Sequence, residues 1–451
     1  MTKARRDGLL LLVLASTIFL GVGFLFESAD SSLPDFKGIY YGTRCLLQHA
    51  DPYKVSDVRR IYRAEAWQRP PEPPESPDDP DRPFVMAQIY LPGTFLVTLP
   101  FACLAWGPAH LLWITLAAAA FLLAAFCAWD LGSEFAPVFS ACLIGFLVIN
   151  SMVLFTSGNP AGLAVSLCVI ATWSFLRGRC LAAGTVCLAI SLVFKPHDSG
   201  FVWLYFLLSG GAQKKRALQA LAISTVLGLI GTLWVSPVAP RWFPEMRANL
   251  AQNLQSGLDD PGPNAPYART ASAIIDLQTE ISFFRDDPRV YNPVAYLIIG
   301  TLLLCWVIAT LRVRPSHTMA LLALAPIVSL TLLPVYHRAV DARLLMLAVP
   351  ACSMLLAKRG AVARLALAIN VGALVLTGDI PLILLLHLSD RIHLSATGLA
   401  GALLRITLFR PVPLALLLMS IVNLAVLFKR SASRPASHPL SPDSSPLSLI
   451  P

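Results

Sequence analysis

Residues 1–47 read MTKARRDGLLLLVLASTIFLGVGFLFESADSSLPDFKGIYYGTRCLL, and their order decides the fold. The run from Leu9 to Phe26 is apolar throughout and long enough to cross a bilayer. Lys3, Arg5 and Arg6 precede it, and no convincing small-x-small cleavage site follows. It therefore reads as an uncleaved first membrane helix with its N-terminus in the cytoplasm. Directly beyond it, in SSLPDFKGIYYGTRCLL, the residues Phe36, Ile39, Tyr40, Leu46 and Leu47 fall close to i, i+3, i+4 spacing. That pattern predicts an amphipathic helix with Asp35 as N-cap and with Lys37 and Arg44 on its wet side.

The rest of the chain repeats the first signal. Of 451 residues, 56% are hydrophobic and 14% charged, with a mean hydropathy of +0.66. Such a composition excludes a soluble globular protein. Further spans are expected at 109–130, 135–156, 160–176, 180–195, 198–210, 217–236, 293–311, 318–335, 343–357, 362–378 and 411–428, twelve in all with the first. The fold class is thus an all-α polytopic membrane protein. A net charge of +9 reflects cationic cytoplasmic loops and gives no reason to expect nucleic acid. Nine scattered cysteines, only Cys45 outside an apolar segment, form neither a disulfide framework nor a CxxC pair.

One further apolar run, Ile89 to Trp106, sets the orientation of everything after it. If it does not cross, the clusters Arg177/Arg179, Lys214/Lys215/Arg216, Arg312/Arg314, Lys358/Arg359 and Lys429/Arg430 share the side of the N-terminus. If it crosses, all of them fall outside, against the positive-inside rule. The run 89–106, interrupted by Pro92 and Pro100, is therefore expected to lie in the outer face as a juxtamembrane helix. Two long stretches then lie outside, 30–88 and 237–292. Short outer turns fall at Gly158-Asn159-Pro160, Lys195-Pro196-His197-Asp198 and Tyr336 to Arg343. Residues 1–430 form one membrane domain, and the Ser/Pro-rich tail 431–451 is expected to be disordered and cytoplasmic. No fixed-period repeat and no similarity between halves suggests a transporter.

Two roles stay open for Asp35: capping its helix, or acting as a general base held just above the membrane. A second amphipathic piece, Tyr53 to Gln68, puts Val55, Val58, Ile61 and Tyr62 on one face among Arg59, Arg60 and Arg63, as in a helix lying on the bilayer. Arg69 to Pro83 is a Pro-rich, acidic spacer. Asp51 reads as a turn or cap residue. Asp276 and Glu280, an i, i+4 pair, read as facing water.

The order Asp35-Phe36, Tyr40-Tyr41, Asp51-Pro52-Tyr53 and Tyr90-Leu91-Pro92 resembles membrane glycosyltransferases of the GT-C fold. It is most similar to glycosyltransferase family 87, the polyprenyl-phosphate-mannose-dependent alpha-mannosyltransferases and their bacterial relatives. Gly158-Asn159 and Lys195-Pro196 also match that pattern, each at an outer helix end. The resemblance implies a GT-C-like bundle of about 12 helices and gives Asp35 the role of the catalytic aspartate. It further implies a hexose, mannose by family name alone, passed from a polyprenyl-phosphate-sugar donor to a lipid or glycan acceptor with inversion. Tyr40, Tyr41, Tyr90 and Asn159 then belong to the substrate site. The chain departs from the family in its Pro-rich stretch and in carrying Tyr336-His337-Arg338, Asp341 and Arg343 where a Ser-Pro-x-Ser-Trp-x-His motif is expected.

A lipid-linked donor also suits the layout. The outer stretches are too short, and too poor in alternating strand and helix patterns, for a nucleotide-sugar domain. The departing phosphate needs cations, and Lys195, His197, His337, Arg338 and Arg343 lie at outer helix ends. Each basic residue alone can equally snorkel to lipid headgroups. Lys195 and Arg338, however, defy the orientation rule that places the other cations. No cofactor and no metal are expected, and the partners are the donor, the acceptor and membrane lipids. A bacterial plasma membrane with the active face outward fits this topology. The rival function is a polytopic transporter or lipid flippase.

Overall fold

The computed structural model describes residues 1–30, 33–66, 88–255, 259–263, 274–313, 316–358, 360–391 and 398–432. The Pro-rich stretch from Arg69 to Pro83, Arg314, Arg359 and the tail from 433 onward lie outside the described residues. All regular structure among them is helical, and extended pairing is limited to an isolated antiparallel bridge between Ile274 and Arg338.

Among the described residues, seven helices are long and apolar enough to cross a membrane: Lys3–Leu25, Trp106–Gly132, Pro137–Ser157, Pro160–Arg177, Gly211–Val235, Pro288–Arg312 and Pro411–Arg430. An eighth crossing is available if Ala361–Leu376 and Asp379–Leu388, bent by 76° at their junction, count as one. Exposed leucines stud the outermost helices, among them Leu229 and Leu233 on Gly211–Val235 and Leu297, Leu304 and Leu311 on Pro288–Arg312. Apolar faces of that extent suit hydrocarbon rather than water. The protein is a multi-pass membrane protein.

The remaining expected spans take shorter forms. The segments at 180–195, 198–210 and 318–335 fold as Leu181–Phe194, Pro196–Leu208 and His317–Thr331, and 343–357 becomes a 3-10 stretch, Asp341–Ala348, running into Val349–Leu356. Each is well below the twenty or so residues of a full span. Burial explains how the last two persist: every residue from Ala320 to Leu333 and from Ala339 to Leu355 is buried, so protein rather than lipid surrounds them. Hydropathy alone cannot separate these cases, because lipid tails and a leucine core are equally apolar.

The two ends of the bundle are distinct. At one end Arg5 Nη2 lies 2.6 Å from Asp130 Oδ1, while Arg177 Nε and Trp173 Nε1 donate to Asp130 Oδ2 at 2.8 and 3.0 Å. Arg177 also pairs with Glu134, which His317 approaches at 3.3 Å. The basic start of Lys3–Asp30 and the basic end of Pro160–Arg177 thus share one face, as the charge pattern requires. At the other end the Phe36 ring stacks on Trp106, 5.7 Å between centroids, and the Tyr40 hydroxyl donates to the Leu104 carbonyl at 2.8 Å. The run 89–106 therefore ends beside α2 (Pro34–Leu47), on the side where α1 (Lys3–Asp30) delivers the chain. Its helix, α3 (Pro92–Ala102), has 11 residues and a length of about 16 Å, too short to span.

Three expectations about the outer loops are corrected. Pro34 takes the first helical position of α2 and Leu33 its cap, so Asp35 lies inside the first turn and does not cap. Lys37 is fully buried, its ammonium 5.6 Å over the rings of Tyr62 and Trp106, so that face of α2 is not wet. The helix Val55–Ala66 spends its apolar residues Val58 and Ile61 on the protein core rather than on lipid, and Arg44 of α2 holds Glu65 at its end.

Candidate functional site

Local sequence builds the site from three helix starts at the α2 end of the bundle. Gly158, at φ +62°, turns the chain, and Asn159 caps the helix Pro160–Arg177 by accepting from the Ala161 amide at 2.8 Å. Its other amide atom is thereby aimed outward, and Nδ2 donates to Asp35 Oδ2 at 2.8 Å. A half-buried cap residue and an acid 124 positions earlier become one unit. Burial pushes the Asp35 carboxyl above the ordinary aspartate range. The Asn159 bond and the charges of Arg338 and Lys195 pull it back, while Asp259 opposes them. A carboxylate raised in this way accepts a proton more readily near neutral pH.

The second start is Lys195, between Leu181–Phe194 and Pro196–Leu208. Its ammonium donates to Asp341 Oδ1 at 2.8 Å, and Asp341 Oδ2 accepts from the Arg338 amide at 2.7 Å. The loop from Val335 to Arg338 is pinned in turn by the segment 274–282: the Ile275 amide donates to the His337 carbonyl at 3.0 Å and Gln278 Nε2 to the Pro334 carbonyl at 2.6 Å. The Arg338 guanidinium engages the Tyr336 hydroxyl and lies 3.5 Å from Asp259. His337 is fully buried, with Nε2 3.1 Å from Asp198 Oδ1, and the His197 ring stands beside it at 5.0 Å between centroids. Tyr90 completes the group. Burial drives its phenol well above the ordinary value, reinforced by Asp35, Asp341, Asp259 and Asp198.

Of the expected site residues, Asp35, Asn159, Tyr90, Lys195, His197, His337 and Arg338 are therefore brought to one end of the bundle. Arg343 is committed elsewhere: it donates to the Thr377 carbonyl at 2.8 Å and pairs with Asp379, whose other oxygen accepts from the Val153 amide. It locks the bend between Ala361–Leu376 and Asp379–Arg391. Tyr40 and Tyr41 are buried in the aromatic cluster with Trp106, Phe36 and Tyr62. Asp51 accepts from the Tyr53 amide two residues on, a turn residue as expected.

Asp276 and Glu280 correct the reading that they face water. Both are buried; Asp276 caps the short helix Leu277–Ser282 by accepting from Thr279, and Glu280 lies in the field of Arg410. Burial raises Asp276 to about 6 and Glu280 to about 9. The i, i+4 spacing carried no sign of this, because the helix is a single turn and a half packed beneath the 334–338 loop. Sequence reasoning also passed over Asp198 and Asp341 as partners, although each sits three residues beyond a basic group, Lys195 and Arg338.

Fold and site together define a class, a multi-pass all-α membrane protein with a cluster of acids and bases at one end of its bundle. Set against protein-family models, curated proteins and solved structures, the chain matches none of them.

Proposed function

We propose that the chain is an inverting membrane glycosyltransferase of the GT-C type, similar to family 87, with a bundle of about 12 helices. It moves a hexose from a polyprenyl-phosphate-sugar to a lipid or glycan acceptor at the outer face of a bacterial plasma membrane. One observation carries the reading: an aspartate oriented by Asn159 shares the field of Lys195 and Arg338, drawn from elements remote in sequence. In the reaction, Asp35 takes the proton of the acceptor hydroxyl as that oxygen bonds to the anomeric carbon. The bond to phosphate breaks on the opposite face, and its electron pair leaves with the lipid phosphate. Lys195 and Arg338 offset the charge that grows there. A beta-linked donor then yields an alpha-linked product.

The test is transfer from synthetic polyprenyl-phosphate sugars by the purified chain in lipid nanodiscs. Wild type should release lipid phosphate and Asp35→Asn should be slower by about 10²-fold or more, the usual worth of a general base. Native speed in Asp35→Asn ends the mechanism. The transporter reading draws on the bent pair of helices locked by buried Arg343, since broken helices are common at transport sites. Liposomes that move a lipid-linked sugar without breaking its glycosidic bond would favour it.

A further inference from the structure

Asp198 is an acid with no hydrogen bond. It is fully buried, neither carboxylate oxygen has a hydrogen-bond partner, and Lys195, whose charge reaches it, gives its hydrogen bond to Asp341 instead. A buried carboxylate without donors costs several kcal/mol unless a cation stands against it. The groups facing it are two imidazoles. His337 Nε2 lies 3.1 Å from Asp198 Oδ1 and His197 Nε2 lies 3.7 Å from the same oxygen. His337 Nε2 is itself buried and without a hydrogen-bond partner. Its other nitrogen, Nδ1, lies 2.7 Å from the Val335 carbonyl, an atom that only accepts, so a neutral ring carries its proton on Nδ1 and offers Nε2 as a lone pair, whereas an imidazolium pairs Nε2–H with Asp198. In the neutral ring two lone pairs face each other across 3.1 Å, the arrangement a metal cation joins.

The geometry points to a zinc(II) site formed by His337 Nε2, Asp198 and His197 Nε2. The three ligand atoms lie within 4.8 Å of one another. Zinc bonds of about 2.0–2.2 Å in a tetrahedron separate ligand atoms by roughly 3.3 Å, which 3.1 and 3.7 Å bracket. A carbonyl that holds the far nitrogen of a ligating histidine is the usual outer support of such a site. His337 is further fixed through its own carbonyl by the Ile275 amide. Two imidazoles with one carboxylate select zinc over magnesium or calcium, which take oxygen ligands. His197 is 39% exposed along its side chain, so the ion enters past it, and three protein ligands leave a fourth position open. A phosphate oxygen suits that position. This last point alone rests on the glycosyltransferase reading.

The full chain, purified in detergent and stripped with chelator, is loaded with Zn²⁺ or Co²⁺ in the presence of excess Mg²⁺. Metal per chain is measured by mass spectrometry and the cobalt form by its visible ligand-field bands. About one Zn²⁺ per chain and tetrahedral cobalt bands are expected. Asp198→Asn and His337→Asn should each weaken binding by at least about 100-fold, no less than loss of an outer support does. His197→Gln, at the exposed edge, guards against misfolding: it should keep its unfolding midpoint in the absence of metal yet lose the tetrahedral spectrum. Metal at background level in the wild type, or an unchanged cobalt spectrum in folded His197→Gln, overturns the site. A chain that holds zinc but moves no sugar would sink the glycosyltransferase reading and leave this one standing.

Discussion

Asp35 and Asn159 form a pair whose two halves do different work. Ionised Asp35 is the form that accepts a proton, so kcat/KM should fall as pH drops through its pKa. Because that pKa is raised, the acid limb should sit above the ordinary aspartate range. The Asn159 bond favours the charged form; Asn159→Ala removes it and should move the limb to higher pH, as well as slowing transfer about tenfold. A pH–rate profile of the two proteins checks both statements, and a limb that stays put would mean Asn159 only caps its helix. At the same scale Lys195→Ala and Arg338→Ala should raise KM for the lipid donor while the fold persists. Unchanged donor kinetics in both would remove them from the phosphate site.

At the level of elements, the short helix Leu277–Ser282 carries a strain that pH can reveal. Glu280 is raised from 4.5 to about 9 by burial, so the folded chain binds a proton there that the unfolded chain releases. Its contribution is complete below pH 4.5 and is lost as pH rises toward 9, which makes the fold less stable at pH 8.5 than at pH 5.5. Glu280→Gln keeps the neutral shape and should flatten that slope in thermal melts, by an amount on the order of a few kcal/mol across the range. Packing sets a second limit where Gly211–Val235 crosses α3. A Cβ on Gly231 would stand 2.6 Å from the Pro92 carbonyl oxygen, so Gly231→Ala must part the two helices and should cost about 1–3 kcal/mol. Gly300→Ala, with open space around it, should be neutral or slightly stabilising in the same melts.

The whole molecule is polarised. Arg5, Asp130, Glu134 and Arg177 interlock at one end, and Asp35, Asn159, Lys195 and His337 gather at the other. From the positive-inside rule we propose that the first end is the cytoplasmic one. A single cysteine at Gly178 in an otherwise cysteine-free chain should resist a membrane-impermeant maleimide in intact cells, and one at exposed Thr156 should react. The reverse pattern would turn the molecule over. Between the ends, polar pairs rather than charge join the helices: Asn370 and Asn423 exchange amide bonds at 3.1 and 2.7 Å, and Ser329 meets Ser420 at 2.8 Å. Such contacts act as local glue among otherwise uniform apolar faces.

Length, hydropathy and the side taken by lysines and arginines are local properties, so the chain alone determined that it is helical, that it lies in a membrane and which loops share a side. For residues 89–106 two prolines and the later charge clusters favoured a run that does not cross, and the helix formed there, Pro92–Ala102, is short. What the linear order left open is where each polar side chain finds its partner. Asp35 as part of a first turn bonded to Asn159, Arg343 as a lock on Asp379, and Glu280 as a buried acid all depend on residues tens to hundreds of positions away. The same holds for the length of the crossings: a helix wrapped by other helices need not match the bilayer, and a leucine gives no sign of whether lipid or protein will cover it.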